Sequence, residues 1–208
     1  MAPLVTPRRP ANGSQRRADR TRALVIDETV RCILEEGFGA ASAKHITERA
    51  GVTWGVVQYH FGDLDGVLMA VVDRGFGELS ATLEELAPRA SALGVQDRVA
   101  YVVNAVWQAF SSPTSRAALE ILISTRGARS DTVNAQLAEV MTKLGDLGRR
   151  LGEGLSAPQA ERVGTLIWNT LRGIIAAQMT WPEPVDSTRD VQTLIDLVGT
   201  YIAARPPL

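Results

Sequence analysis

The sequence of 208 residues contains a single cysteine, Cys32, and only two histidines, His45 and His60. One cysteine excludes an internal disulfide framework and is typical of a protein that works in the reducing cytoplasm. No apolar run approaches the roughly 20 residues that a membrane-spanning helix needs. No apolar stretch follows the N-terminal arginines, as it would in a signal peptide. We therefore expect a cytoplasmic chain with no membrane partner.

Motifs for catalysis and for metal binding are also missing. The two histidines are fifteen residues apart, and neither has a cysteine or carboxylate at the spacing of a zinc motif. The sequence contains no nucleotide-binding glycine loop and no nucleophile elbow. We therefore expect no metal, no cofactor and no enzymatic activity.

Charge is distributed unevenly along the chain, although the net charge is only -1. Residues 1–22 hold six arginines and one aspartate, whereas residues 67–208 hold 13 basic and 15 acidic residues. A basic end on a mildly acidic protein suggests a polyanionic partner, with a merely solubilising tail as the alternative. Residues 1–15 lack periodicity and are rich in proline, so we predict that they form a disordered basic arm.

The rest of the sequence predicts an all-α protein. No segment alternates as a half-buried strand would, and the chain divides instead into blocks with helical apolar periodicity. We expect a helix-turn-helix domain over residues 16–62 and a ligand-binding and dimerisation domain over residues 63–208. About nine helices are predicted, at 17–36, 42–50, 53–60, 63–86, 95–111, 113–126, 130–153, 156–180 and 187–204.

The segment 42–61 has the pattern of a helix-turn-helix. Such a motif needs apolar residues that hold two short helices together and a turn residue able to adopt positive φ, here Gly51. It also needs outward polar residues on the second helix, to contact phosphates and base edges. A helical hairpin without DNA binding would fit the same pattern. The apolar positions are Ile46, Ala50, Val52, Val57 and Phe61, and the outward ones are Lys44, Thr53, Trp54, Gln58 and Tyr59.

Residues 46–68, which read ITERAGVTWGVVQYHFGDLDGVL, resemble the signature of the tetracycline-repressor (TetR) family, as does the preceding Glu36-Gly37-Phe38. The specific resemblance covers residues 20–72. It implies a homodimeric transcriptional regulator, expected to be a repressor, that binds palindromic double-stranded operator DNA and is released by a small-molecule effector. The candidate DNA-binding residues are Arg17, Arg20, Ser42, Lys44, Thr53, Trp54, Gly55, Gln58, Tyr59 and His60.

Three positions depart from the family pattern. The family usually has Lys or Arg at the position of Trp54, an aromatic residue at that of Gln58, and a phosphate-contacting Lys at that of Leu64. Gln58 can pair with adenine and Trp54 can contact a thymine methyl group, so we interpret the changes as altered specificity. The alternative is a helical ligand-binding or protein-interaction module that has lost sequence-specific DNA binding.

The last two predicted helices are apolar on more than one face. Such helices must be buried on both sides, and a second subunit is the simplest cover for the outer side. A monomeric core is the alternative, whereas the resemblance implies a four-helix dimer interface. The candidate interface residues are Leu166, Thr170, Ile174, Leu194, Val198 and Tyr201.

Residues 101–126 and 163–179 place bulky aromatic side chains beside isolated polar groups. This mixture is typical of pockets for largely apolar ligands, although core packing is the alternative for each residue. We expect the ligand to favour a conformer with wrongly spaced recognition helices, transmitted through the helix that begins at Asp63. The candidate ligand-binding residues are Asn104, Trp107, Gln108, Phe110, Ile123, Arg126, Trp168, Asn169, Leu171 and Gln178.

Overall fold

The computed structural model describes residues 11–90, 92–127, 131, 134–135, 138–139, 142–143, 156–181, 183 and 185–204. Within them the protein has eight α-helices and no strand, which confirms the predicted all-α class. The predicted helix over 130–153 and residues 1–10 of the predicted arm lie largely or wholly outside the described residues. The helices are α1 (Ala11–Glu36), α2 (Ala43–Ala50), α3 (Trp54–Phe61), α4 (Leu64–Ala90), α5 (Val95–Phe110), α6 (Pro113–Ser124), α7 (Ala157–Thr180) and α8 (Thr188–Ala203).

Helix α1 begins at Ala11, so the prediction that residues 1–15 are disordered is wrong for 11–15. The C-terminal half of the helix is anchored by buried side chains that include Val25 and Ile33. Once this half is fixed, adding a residue at the other end gains one hydrogen bond without a new nucleation cost. The helix therefore continues into a stretch whose composition alone suggested disorder.

The chain divides into two compact units after Val71, inside α4. Val67 and Val71 are fully buried and belong to the first unit with α1–α3. Helix α4 continues through Pro88 to Ala90, beyond the predicted end at residue 86. Pro88 is exposed and close to the helix end, where water can satisfy the carbonyl group that loses its N–H partner. Ala90 is buried beyond it, and its packing favours the longer helix.

The core of the second unit is built around α5. Val99, Val102 and Val106 lie at helical spacing on its inward face and are fully buried. Helix α8 makes the most extensive packing with α5, which also packs against α7. Leu171 of α7 is completely buried, and burial of such a side chain contributes about 1.5–3 kcal/mol. This packing places α7 and α8 side by side and leaves their outer faces exposed.

Two predicted helix starts are confirmed by their hydrogen bonds. The Oγ of Ser112 accepts the N–H of Ser115 at 3.2 Å, and Pro113 occupies the first position of α6. At the start of α7, the Oε1 of Gln159 accepts the N–H of Ser156 at 3.0 Å and its hydroxyl at 2.9 Å. These bonds satisfy backbone groups that have no partner inside the helix.

Candidate nucleic-acid interface and ligand cavity

Helices α2 and α3 pack together as a helix-turn-helix. The Oγ of Ser42 accepts the N–H of His45 at 3.3 Å and caps α2. Gly51 follows α2 with φ 63° and ψ 31°, a left-handed conformation that glycine adopts without steric cost. Ile46 and Val57 are each 1% exposed. The apolar positions and the turn glycine predicted from the sequence thus hold the two helices together.

Helix α3 presents most of its surface to solvent, since Val57 is its one buried residue. Tyr59 is 82% exposed, Trp54 is 36% exposed, and Gln58 is exposed between them. Thr53 occupies the N-cap position, but its side chain makes no capping hydrogen bond. The outward face of α3 therefore offers an amide, an indole and a phenol to a partner.

The remaining predicted DNA-binding residues also lie at the surface. No carboxylate occurs between Arg49 and Gly62, so this part of the chain brings no negative charge of its own. The His60 ring meets Tyr59 edge-on with 5.0 Å between centroids. Lys44 forms only a long, exposed ion pair with Glu48, at 3.8 Å. His60 is half-buried, and the exposed members are Arg17, Arg20, Ser42, Lys44 and Gly55.

The turn from α3 into α4 is fixed by two glycines and an aspartate. Gly62 has φ 83° and ψ −62°, which is costly for a residue with a Cβ. The Oδ1 of Asp63 accepts the N–H of Gly66 at 2.8 Å, as expected for the predicted cap. A Cβ on Gly66 would overlap the carbonyl oxygen of Phe61, so this position requires glycine. The direction in which α4 leaves the turn is therefore set by backbone geometry.

A cluster of charged side chains joins α1 to α2. The Nε2 of His45 donates to Glu36 at 2.9 Å, and Arg49 bonds both Glu36 and Glu35. The hydrogen bond from His45, assisted by Arg49, lowers the pKa of the Glu36 carboxyl. No cysteine or carboxylate stands at the sequence spacing of a zinc motif from His45, yet ligand atoms of Cys32 and Glu36 lie within 4.8 Å of it and of each other. Spacing along the sequence therefore does not reveal that these three side chains lie close together in the fold.

The charged cluster is better explained by ion pairing than by metal binding. Arg49 already occupies the Glu36 carboxylate, and a guanidinium beside a bound cation would repel it. Burial raises the pKa of the Cys32 thiol, which disfavours the thiolate that a metal requires. We therefore assign these residues to the packing of α1 on α2.

On the second unit, α7 and α8 form an apolar groove of about 720 Å³. Its base contains Leu194 and Val198, which are nearly buried, and its edges carry Leu166 and Leu197, which are 54% and 65% exposed. Leu197 was left out of the predicted interface set, although it is the most exposed leucine here. An exposed apolar patch of this kind marks an interaction surface. All six predicted interface residues line the groove, namely Leu166, Thr170, Ile174, Leu194, Val198 and Tyr201.

A second apolar space, the cavity, lies among α4–α7 and has a volume of about 400 Å³. Phe76, Phe110 and Trp168 line it, and the rings of Phe110 and Trp168 pack at 60° with centroids 4.3 Å apart. The Nε1–H of Trp168 is buried and has no hydrogen-bond acceptor among the described residues, which costs about 1–3 kcal/mol. Arg172 is the one charged side chain in the described lining. The cavity has the size and the mostly apolar character of a ligand site.

Four of the ten predicted ligand-binding residues line this cavity: Phe110, Ile123, Trp168 and Asn169. The predicted set contains no residue of α4, only Ile123 of α6, and not the cation Arg172. Apolar residues on those helices carry no signal that separates a cavity wall from ordinary core, and Arg172 looked like a solvated surface charge. The missed lining residues are Gly75, Phe76, Leu79, Ser115, Ala118, Leu119, Leu122, Arg172, Gly173 and Ala176.

Five other predicted ligand-binding residues do not line this cavity. Asn104 and Gln108 are one helical turn apart on the exposed face of α5, opposite its valines. Arg126 is exposed beyond the end of α6. Trp107 packs half-buried against the core, and Leu171 is fully buried within it. The face of the helix on which each residue lies, rather than its chemistry, determines whether it lines the cavity.

Gln178, the last of the ten, has a structural role. Its Nε2 donates to the Oγ of Ser187 at 3.0 Å and to the carbonyl oxygen of Val185 at 3.2 Å. The Ser187 side chain makes no capping hydrogen bond to α8, although the predicted helix begins at this residue. The Oδ1 of Asp186 instead accepts the N–H of Thr188 at 2.9 Å. Gln178 thus fastens the segment before α8 to the end of α7.

Residues 25–71 match the sequence profile of the family described as bacterial regulatory proteins, tetR family. This segment therefore belongs to the TetR family. The resemblance of residues 46–68 to this family is thereby confirmed. The HTH-type transcriptional regulator BetI of Burkholderia thailandensis is 40% identical over 47 residues, covering 23% of this chain and 24% of BetI. The match therefore spans about a quarter of that relative's length.

Solved structures share the TetR-family fold over most of the chain. A bacterial regulatory protein in the tetR family from Rhodococcus RHA1 aligns with a TM-score of 0.67 and 16% identity, covering 88% of this chain and 97% of that protein. The TetR-family transcriptional regulator PfmR from Thermus thermophilus gives 0.64 and 16%, covering 85% and 97%. Identities this low establish the fold alone. Among the described helices, none is long and apolar enough to cross a membrane.

Proposed function

We propose that this protein is a homodimeric transcriptional regulator that binds palindromic operator DNA through α3 and responds to a small, largely apolar effector. The observation that carries the proposal is the outward face of α3. Trp54, Gln58 and Tyr59 are exposed there, on a helix that buries only Val57. A recognition helix needs such a polar and aromatic surface to enter the major groove.

Each exposed group of the helix-turn-helix has a role that its chemistry supports. The Gln58 amide can donate to and accept from adenine at once, and the Trp54 ring can contact a thymine methyl group. Thr53, Tyr59 and Lys44 suit phosphate oxygens, which position the protein without reading sequence. Arg17 supplies further positive charge from α1, as does Arg20.

The groove between α7 and α8 is proposed to hold a second copy of the chain. A twofold dimer brings the same patch of each subunit together. The groove suits this, because its lining includes both Arg162 and Asp190, which can pair with the opposite charges of the copy. Exposed Leu166 and Leu197 would be buried in the same contact. Such a dimer presents two recognition helices to two half-sites.

The cavity among α4–α7 is proposed to hold the effector. A ligand that binds more tightly to a conformer with wrongly spaced recognition helices lowers operator affinity by that difference in affinity. Helix α4 contributes Phe76 and Leu79 to the cavity, and its first turns belong to the unit that carries α3. It is therefore the natural route for the coupling. Release by an effector makes the regulator a repressor.

DNA selection tests the proposal directly. The wild-type protein and Gln58→Ala would be incubated with random double-stranded DNA, and the bound fraction would be sequenced over several rounds. We expect a palindromic motif from wild type, and a loss of about 1–3 kcal/mol at one adenine-containing base pair for Gln58→Ala. Gln108→Ala, an exposed glutamine on α5, is the matched control and should return the wild-type motif.

The rival function is a helical ligand-binding or protein-interaction module that does not read DNA. It is favoured by Leu64, which stands at the first position of α4 where the family resemblance implies a phosphate-contacting lysine. A wild-type selection that enriches no motif, with weak affinity that is equal for all sequences, would establish this rival. Salt dependence adds a second criterion, because each lost phosphate contact reduces the slope of log affinity against log salt by about 1. Arg17→Gln should reduce that slope.

A further inference from the structure

We propose that the cavity selects an effector with an apolar body and a carboxylate, held by Arg172 and Trp168. This inference rests on the proposed function in that the cavity is taken to be the effector site. It adds the chemical class of the effector, which neither the size nor the apolar lining of the cavity defines.

The first argument is an unsatisfied donor in the cavity wall. Trp168 is 5% exposed, its ring packs against Phe110, and its Nε1–H has no acceptor among the described residues. Buried polar groups in native proteins are nearly always hydrogen-bonded, and a missing partner points to an unseen one. An indole N–H can only donate. The ligand that completes this wall must therefore bring a hydrogen-bond acceptor.

The second argument is a cation one helical turn further along. Trp168 and Arg172 are four residues apart on α7, and both line the cavity, Trp168 from a buried position and Arg172 from an exposed one. Arg172 forms no ion pair in the described part of the protein, and its one hydrogen bond goes to the neutral amide oxygen of Asn169 at 3.4 Å. The described lining contains no carboxylate that could neutralise it. A guanidinium beside an unpaired N–H favours an acceptor that is also negatively charged, and a planar carboxylate fits its fork of donors.

The third argument is the apolar remainder of the cavity. Away from Arg172, the wall is formed by side chains without charge, including Phe76, Leu79, Leu119 and Leu122. A fully polar anion such as phosphate would leave these side chains without contact. A ring or chain attached to the carboxylate would fill the space beside Phe110 and Trp168. The chemistry therefore points to an aromatic or medium-chain carboxylic acid.

Matched probes test this class. The acids 2-naphthoate and decanoate would be titrated by calorimetry against their methyl esters and against naphthylmethylammonium and decylammonium, which keep the apolar body and change only the head group. We expect at least one acid to bind roughly tenfold or more tightly than its ester, and the ammonium compounds to bind most weakly. Arg172→Gln should remove the preference of acid over ester. Arg189→Gln, an exposed arginine on α8 outside the cavity, should keep it.

A spectroscopic measurement addresses Trp168 separately. In a ¹H–¹⁵N spectrum, the indole N–H signal of Trp168, assigned by its loss in Trp168→Phe, should move downfield with the acid and less with the ester. The inference is overturned if neither acid binds more tightly than its own ester, or if Arg172→Gln leaves the preference intact. Neither result depends on DNA. A protein that selects a palindromic DNA motif but shows no preference for acids would retain the proposed function and lose only this inference.

Discussion

The groove and the cavity are both apolar spaces of the second unit, yet their polar groups differ. The groove is the larger, at about 720 Å³ against about 400 Å³, and its edges carry exposed leucines and charges of both signs. The cavity is lined by three aromatic rings, by Arg172 as its one described charged side chain, which is exposed, and by a buried N–H without an acceptor among the described residues. Volume alone would favour the groove as the ligand site.

This difference shows that the polar groups of each space indicate what kind of partner or ligand it would bind, and that apolar volume alone does not. Arg162 and Asp190 give the groove balanced charge, which is the complementarity that a twofold protein contact can use. The cavity instead has two donors, the Arg172 guanidinium and the Trp168 N–H, for which its described lining offers no carboxylate. The predictions that follow separate the two spaces by changing one and measuring both.

The largest effect is expected from a charge placed in the groove. Leu197→Asp puts a carboxylate at its most exposed leucine, where an unpaired charge would be buried on dimerisation. We expect a folded monomer whose operator affinity falls by about 10²–10⁴, because one half-site no longer assists the other. Sedimentation velocity and fluorescence anisotropy measure the two effects. Val185→Asp, an exposed apolar position outside the groove, is the control, and a dimeric Leu197→Asp protein would refute the interface.

Ligand coupling comes next in size. An effector bound in the cavity should weaken operator binding by about 5–150-fold, the range of ordinary coupling free energies. Linkage requires operator DNA to weaken effector binding by the same factor. Anisotropy with and without a carboxylate that binds the protein measures one side, and calorimetry with and without operator DNA measures the other. A ligand that binds without changing DNA affinity would leave the cavity with no regulatory role.

Filling the cavity should affect it alone. Gly173 lines the cavity, and a Cβ built there meets no other atom within 4 Å. Gly173→Leu therefore adds volume and also favours the helix. We expect ligand affinity to fall roughly tenfold, about 1.4 kcal/mol, while sedimentation and operator affinity stay as in wild type. Gly77→Ala, at a glycine that also has open space but lies outside both apolar spaces, is the control, and unchanged ligand affinity in Gly173→Leu would place the ligand elsewhere.

The smallest effects should come from two predicted ligand-binding residues that do not line the cavity. Asn104→Ala and Gln108→Ala change exposed side chains of α5 that do not line the cavity. We expect ligand affinity, dimerisation and operator affinity each to change by less than about twofold, as is usual for surface substitutions. Titration of the same carboxylate as above measures the first of these. A tenfold loss in either variant would mean that the ligand contacts α5 from outside.

The groove could be predicted from sequence because its residues come from two neighbouring helices. Leu166, Thr170 and Ile174 recur at a spacing of four on α7, and Leu194, Val198 and Tyr201 recur at four and three on α8. A surplus of apolar residues at that period indicates a face beyond the one in the core. The helix-turn-helix was predictable for a similar reason, because Ser42, Gly51 and Gly62 form caps and turns with residues that are close to them in the sequence.

The cavity could be predicted only in part because four helices build it. Phe76 and Trp168 are far apart in sequence, and nothing in the pattern around Phe76 distinguishes a cavity wall from solid core. Polar residues in apolar runs were also an ambiguous signal. Gln178 is a polar residue in an apolar run, but it donates a hydrogen bond to Ser187. Arg172 lines the cavity but is absent from the predicted set. Whether such a residue lines the cavity depends on the face of the helix that it occupies and on contacts between residues that are distant in the sequence.

The burial of Cys32 has a practical consequence. Its thiol is inaccessible, with 0% exposed surface, and burial raises its pKa, so little of the reactive thiolate exists near neutral pH. A thiol-modifying reagent can attack only when the first unit opens locally. Because the chain has no other cysteine, the rate of labelling measures the frequency of that one opening event. The rate of Cys32 modification therefore reports how often the helix-turn-helix unit opens. It can be measured with and without DNA and needs no engineered dye.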